Sequence, residues 1–277
     1  MKDGMLAFSD YPMFGRVMAD KAICKRVVEV ILGEEIGRIE LINAEQAIEP
    51  ALSSKGIRMD VFLKASGKMY DIEMQAYGRK DLWRRLRYYQ ASMDVAYLRK
   101  GSNYEDLPES YLIFICTDDP LGLGIPVATF VKRCCQAPQL SVDDGTCWKI
   151  LNAAYWEDAP FGELRDLLRY TAQGGMASEV FETALVREVD EAVRHANQDD
   201  LWRREAIQLL TLEQDMASQI AISRREGKAE GKVEGKAEMA ALMKRLFDEG
   251  RVEEAQRAVC DAAFCEELLE QIEAEER

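Results

Sequence analysis

Asp60 and Glu73 lie in two short runs of alternating residues, Ile57 to Leu63 and Met69 to Gln75, on either side of Ser66-Gly67. Alternation of this kind is a strand pattern, and Ser-Gly is suited to a tight hairpin turn. With those two residues as the turn, cross-strand partners have numbers summing to 133. Met59 then faces Met74, Val61 faces Ile72 and Leu63 faces Tyr70, on a wholly apolar side that must be the core face. The same register puts Arg58 opposite Gln75, Asp60 opposite Glu73 and Phe62 opposite Asp71. The Cβ atoms of two acids directly across a ribbon stand roughly 4.5 to 5.5 Å apart, a spacing at which like charges repel. A hard divalent cation offsets that repulsion, because Mg²⁺ takes one or two carboxylates and fills its remaining positions with water and phosphate oxygens. Such an ion activates a bound water and stabilises charge on a phosphate in flight. The ordinary alternative is a solvent-facing sheet edge on which Asp60 pairs with Arg58 or another nearby cation.

Several elements must position these residues. Ala19 to Leu32 reads as an amphipathic helix stopped by Gly33, and Arg38 to Asn43 as a short strand. After the hairpin, Arg79 to Leu98 reads as a long helix whose buried stripe is Leu82, Leu86, Tyr89, Met93 and Ala96. Lys80, Arg84 and Arg87 project from its other side, with Arg85 and Tyr88 on one flank, a row that suits phosphate groups as well as an ordinary solvated face. Ser110 to Thr117 is a continuous β-favouring apolar run, which fits a central strand covered on both faces. Val127 to Val131 and Cys147 to Ala153 are further strand candidates. Phe161 to Tyr170, Ser178 to Asn197, Asp199 to about Glu238, Ala240 to Phe247 and Val252 to Cys260 read as helices.

Taken in order, Arg58-Met59-Asp60-Val61, Tyr70-Asp71-Ile72-Glu73-Met74-Gln75 and Arg85-Leu86-Arg87-Tyr88-Tyr89-Gln90 resemble the PD-(D/E)XK nuclease family transposases. Asp10 to Gly15, Lys100-Gly101 to Tyr104, Leu107-Pro108 and the Tyr111 to Cys116 strand add to the likeness, which runs over residues 8 to about 155. The resemblance implies a restriction-endonuclease-like αβββαβ core of α/β class that cuts DNA with Mg²⁺, or with Mn²⁺ in its place. Asp60 matches the motif aspartate and Glu73 its second acid, and the Met74 carbonyl would be a further metal ligand. Glu29 is the best match for an extra acid from the first helix, ahead of Asp20. The chain departs from the superfamily pattern at Gln75, where the motif carries lysine. Glutamine orients water by hydrogen bonds but cannot take its proton. Arg58, expected beside Gln75, could supply the missing charge.

The net charge of -14 is unusual for a nucleic-acid binder, yet it is unevenly spread. Residues 54 to 100 hold 11 basic and 5 acidic groups, whereas residues 160 to 277 hold 16 basic and 27 acidic ones. Binding confined to one basic face fits this distribution. The odd set of 7 cysteines has no CxxC pair and the single histidine, His195, lies in a charged helical stretch. Disulfide frameworks, zinc sites and histidine-based triads are thereby disfavoured, and the cysteines read as mostly buried thiols. With no long apolar run and no signal-like N-terminus, neither membrane nor export is expected, and the cytoplasm is the expected location. Three regions are expected: a nuclease-like domain at 1–158, a helical region at 159–238 and a small helical hairpin at 239–277. Gly227, Gly231 and Gly235 fall on one helical stripe, which suggests self-association through the C-terminal helices or simply a solvated helix. The leading function is metal-dependent DNA cleavage, with Arg58, Lys80, Arg84, Arg85, Arg87 and Tyr88 on the DNA. The alternative is a weak or inactive nuclease fold acting as a binding or scaffolding module.

Overall fold

The computed structural model of the chain describes residues 4–48, 56–75, 81–140, 142–174, 183–261, 264, 267 and 268, without the side chains of 44–46, 213, 214, 217, 218, 220–238 and 260. The chain divides into two compact units, Met1–Gln208 and Leu209–Arg277. The first unit opens with two helices, α1 (Tyr11–Met18) and α2 (Lys21–Leu32). Asp20 caps α2 by accepting from the backbone N–H of Ala22 and Ile23 at 2.8 and 3.1 Å, and Gly33 at φ 77° ends it. Helix α1, with Pro12 in its first turn, was not legible as a helix because eight residues give too short a periodic pattern.

Three antiparallel strands follow, β1 (Ile39–Ile48), β2 (Ile57–Ala65) and β3 (Lys68–Gln75). The β2–β3 register is the one the alternation predicts, with Val61 opposite Ile72, Phe62 opposite Asp71 and Leu63 opposite Tyr70. Ser66 and Gly67 both take positive φ, 51° and 75°, the conformation a two-residue hairpin needs for its twist to match the strands. The chain entering β1 approaches this turn so closely that a Cβ on Gly37 would lie 2.2 Å from Ser66 Oγ. Helix α3 (Leu82–Tyr97) then leads to β4 (Ser110–Cys116), followed by β5 (Val127–Phe130) and β6 (Thr146–Asn152). The six strands form one mixed sheet in the order β1-β2-β3-β4-β6-β5, parallel at β3–β4 and β4–β6. This mixed α/β architecture is compatible with a PD-(D/E)XK-like fold.

Both faces of the sheet are covered. On one, Leu82, Leu86, Tyr89 and Met93 of α3 pack with Phe62, Met69, Leu112, Phe114 and Ile150. Ala96, expected in that stripe, is exposed instead. Lys149 identifies what covers the other face. It neighbours Ile150 in β6 and so points away from α3, and its ammonium donates to the carbonyls of Ile31 and Leu32 at 3.0 and 3.2 Å. A lysine thus caps the C-terminus of α2, where unpaired carbonyls favour positive charge. Beyond that layer lie α4 (Glu163–Ala172) and α5 (Ala184–Gln198), which contact α1 and α2. The Asn197 side chain accepts from the backbone N–H of Leu6 and donates to its carbonyl, both at 2.9 Å, so the helices after residue 158 complete the unit that holds the sheet.

Helix α6 (Asp200–Asp248) runs without the break expected near residue 239, and α7 (Val252–Cys260) follows it. In the second unit, Leu242, Leu246, Ala255, Ala258 and Leu268 share a small core. Gly250 at φ 76° turns the chain between the two helices, with Arg251 N–H donating to Leu246 O at 2.8 Å. Gly227, Gly231 and Gly235 belong to the stretch whose packing is outside the description. Among the described residues no helix is long and apolar enough to cross a membrane. Of the described cysteines only Cys24 and Cys116 are buried; Cys134 and Cys147 are partly exposed and Cys135 is exposed.

Candidate active site

The β2–β3 ladder runs from Ala65 opposite Lys68 to Val61 opposite Ile72 and there stops, although β2 continues against β1 and β3 against β4. The two strands part at the level of Asp60 and Glu73, and side chains take over the backbone bonding. The N–H of Asp60 donates to Glu73 Oε1 and the N–H of Met74 donates to Asp60 Oδ2, each at 2.9 Å. Each acid therefore satisfies a main-chain donor that the ladder leaves over. The two carboxylates are brought together in the mouth of this fork.

The polar side of the ribbon faces α3 and is not a solvent-facing edge. Asp71 is 0% exposed, Glu73 1% and Gln75 8%. Charge buried this deeply demands partners, and the principal one comes from the helix. Arg85 Nη2 donates to Glu73 Oε2 at 2.5 Å and to the Tyr89 hydroxyl at 3.1 Å, while Nη1 donates to Gln75 Oε1. Tyr89 in turn donates to the Arg58 carbonyl at 3.1 Å, tying the arginine's support to β2. A side-chain cation thus meets the ribbon's acids, as the ordinary alternative expects, but it is Arg85 and it pairs with Glu73.

Burial, and after it the charge of Asp60, pushes the Glu73 carboxyl up to about 8, against the opposing pull of Arg85. Asp71 is also raised well above the carboxylate range, by burial first and then by Glu73 and Asp60. Neither Asp71 carboxylate oxygen has a hydrogen-bond partner among the described residues. Asp71 was not singled out from the sequence, although its position two residues before Glu73 puts both on one face. Alternation alone does not reveal that β3, lying between β2 and β4, is covered on both sides.

The other expected residues divide. Arg84, Arg87 and Tyr88 are exposed on α3 as their spacing predicts, and Lys80 lies outside the described residues. Arg85, expected with Tyr88 on one flank of α3 and on the DNA, is turned inward, its side chain only 19% exposed. It stands one turn before Tyr89 and one residue before buried Leu86, at the margin of the buried stripe. Arg58, expected to share a face with Gln75, instead has its guanidinium over the Tyr11 ring at 4.9 Å. Met59, expected with Val61 and Leu63, joins the cluster of Phe62 and Tyr89, so the alternation does not carry through the fork. Glu29 accepts from Lys25 Nζ at 2.6 Å and from the Ile36 N–H at 3.1 Å, and Asp20 caps α2. The described bonds of these two acids serve the first helices and the turn after them.

Two carboxylates and a carbonyl are the hard oxygen donors a divalent cation takes, and among the described residues no cluster of three metal-ligating side chains exists. A site that offers two acids and leaves further positions to water and substrate suits Mg²⁺. The elevated Glu73 carboxyl is one that a cation would stabilise. Donor chemistry and electrostatics therefore fit, with the Arg85 guanidinium on Glu73 as the competing charge.

Residues 8–121 match the family model of the PD-(D/E)XK nuclease family transposases. The stretch that carries the fork is thus similar to that family, whose name points to nuclease or transposase function. No curated protein and no solved structure matches the chain.

Proposed function

We propose that this domain, which resembles the PD-(D/E)XK nuclease family transposases, is a divalent-metal-dependent endonuclease that hydrolyses DNA phosphodiester bonds in the service of recombination or transposition. The observation that carries the reading is the fork itself, where Asp60 and Glu73 converge beside Gln75 on a buried polar face. Asp60, Glu73 and the Met74 carbonyl would hold Mg²⁺ or Mn²⁺, which when bound supplies an activated water and offsets charge on the phosphate. The chain's own residues do the rest. Gln75 hydrogen-bonds at the reacting centre, Arg84 and Arg87 hold the backbone phosphates, and Tyr88 lies partly exposed beside them. Glu29 has its described bonds elsewhere, so its part as a further ligand is the weakest of the assignments.

Plasmid nicking and linearisation in Mg²⁺ is the direct test. Wild type should cut, and Asp60→Ala and Glu73→Ala should fall by about two orders of magnitude or more, as expected when a group acting on the transition state is removed. Equal rates in all three proteins would reject the assignment. One observation favours a second reading, in which the domain binds without cutting: Glu73 is already paired with Arg85 and no motif lysine is present. Calorimetry with Mg²⁺ and Mn²⁺ separates the two, because a protein that binds neither ion and still retains DNA is a binding module.

A further inference from the structure

Arginine carries five N–H donors and no acceptor. The Gln75 amide that meets Arg85 Nη1 must therefore present its carbonyl oxygen to the helix, as it does. Its NH₂ group is thereby directed away from Arg85, and Gln75 offers donors and not an acceptor to whatever enters the fork. Such a group suits an anionic oxygen of a phosphate and is unsuited to accept a proton from water. The guanidinium that sets this orientation is itself held on several sides. It bonds Glu73 and Tyr89, and it lies 5.0 Å from the Tyr89 ring centroid and 5.3 Å from that of Phe114. Arg84 and Arg87, its neighbours on α3, are exposed and share none of these contacts.

We infer that Arg85 is a positioning residue that stands in the cation place of the fork, turning Gln75 into a donor for a phosphate oxygen and competing with the divalent cation for Glu73. This deepens the nuclease reading and rests on it for the identity of the incoming ion and phosphate. Its physical content is a competition: one carboxylate oxygen, Glu73 Oε2, is shared between a guanidinium of this chain and a metal from solution. Relieving that competition strengthens metal binding even as it disorders Gln75. A loss of fold can only weaken binding, so the sign of the change distinguishes positioning from scaffolding.

The test is calorimetric titration of the full chain with Mn²⁺ alone at pH 8, without DNA. Arg85→Met and Arg85→Gln should each bind Mn²⁺ roughly tenfold more tightly than wild type, the scale of removing one like charge from a partly buried site. Arg85→Lys, which keeps the charge, should stay within about threefold of wild type by the same electrostatic argument. Arg85→Gln guards against Arg85→Met failing to fold, because it keeps a donor for Glu73. Equal, weaker or absent Mn²⁺ binding in the charge-removed variants overturns the inference. If wild type cuts DNA and these variants show no gain, only the competition fails; if they gain affinity and no protein cuts, the nuclease reading falls while the competition stands.

Discussion

The two faces of the β2–β3 ribbon are equally dry and differently built. Val61, Leu63, Tyr70 and Ile72 on one side, and Asp71, Glu73 and Gln75 on the other, are all less than a tenth exposed. On the first face burial is favourable in itself, at about 25 cal/mol per Å² of apolar surface. On the second, each carboxylate loses its hydration and must recover it from donors. Glu73 recovers it from Arg85 and the Asp60 N–H, Asp71 has no hydrogen-bond partner among the described residues, and both carboxyls are pushed up. The first face holds the sheet together, and the second stores electrostatic cost at the place where chemistry is proposed, a common trade of stability for function.

The comparison breaks first at Glu73. Glu73→Ala strands the Arg85 guanidinium and the Asp60 N–H, and should cost about 3–5 kcal/mol in a urea melt, as for other buried pairs cut on one side. A loss under about 1 kcal/mol would mean that the fork solvates freely. Ile72→Ala, the adjacent residue on the apolar face, should cost about 2–5 kcal/mol by transfer and cavity terms. Cleavage per folded molecule should survive it, and a matching fall in activity would erase the division between the faces.

Asp71→Asn should move stability the other way. Replacing an unpartnered buried carboxyl by a neutral isostere is expected to gain about 1–3 kcal/mol at pH 8, read as a higher midpoint in thermal melts. A lower midpoint would show that Asp71 has a partner in solution. On the outer side of α3, Arg84→Gln and Arg87→Gln should leave stability within about 0.5 kcal/mol. Each should weaken DNA binding and reduce the slope of log affinity against log salt by about 1. An unchanged slope would remove that helix face from the DNA interface.

The smallest effect belongs to an exposed pair at the turn end of the ribbon. Lys68 Nζ lies 2.7 Å from Glu109 Oε2, and this bond holds the Glu109 carboxyl below the usual glutamate range. A depressed folded-state value means that the pair's stabilisation is present above the unfolded glutamate pKa and is lost as pH falls through the lower folded one. With Glu109 half exposed, solvent screening leaves about 0.5 kcal/mol or less. Melts of wild type and Lys68→Met between pH 7 and pH 3 should converge by that amount, and a larger convergence would put an exposed pair on a par with the buried one.

Much of the site was written in local pattern. The two-residue turn and the alternation from Val61 to Ile72 specify which residues face each other there, because a slip by one would put a carboxylate among Val61, Leu63 and Ile72. The apolar run of β4 announces a strand with no wet face, and every residue from Leu112 to Cys116 is fully buried. The exposed places of Arg84 and Arg87 on α3 were legible too, whereas that of Arg85 was not. Arg85 sits at the margin of the helix stripe, where spacing alone leaves inward and outward equally open.

Which way Arg85 turns depends on a parallel crossover that no local pattern encodes. Once β4 pairs beside β3, the connecting helix must lie across the polar face, and a guanidinium there is drawn to the nearest buried carboxylate. The sequence by itself determined the hairpin strands, their register beside the turn and the two acids at its open end. Only the tertiary structure decided that those acids would be buried, that the strands would part around them and that the charge opposing them would come from the chain itself. Burial and long-range electrostatics are properties of what covers a face, and the cover is brought from elsewhere in the chain.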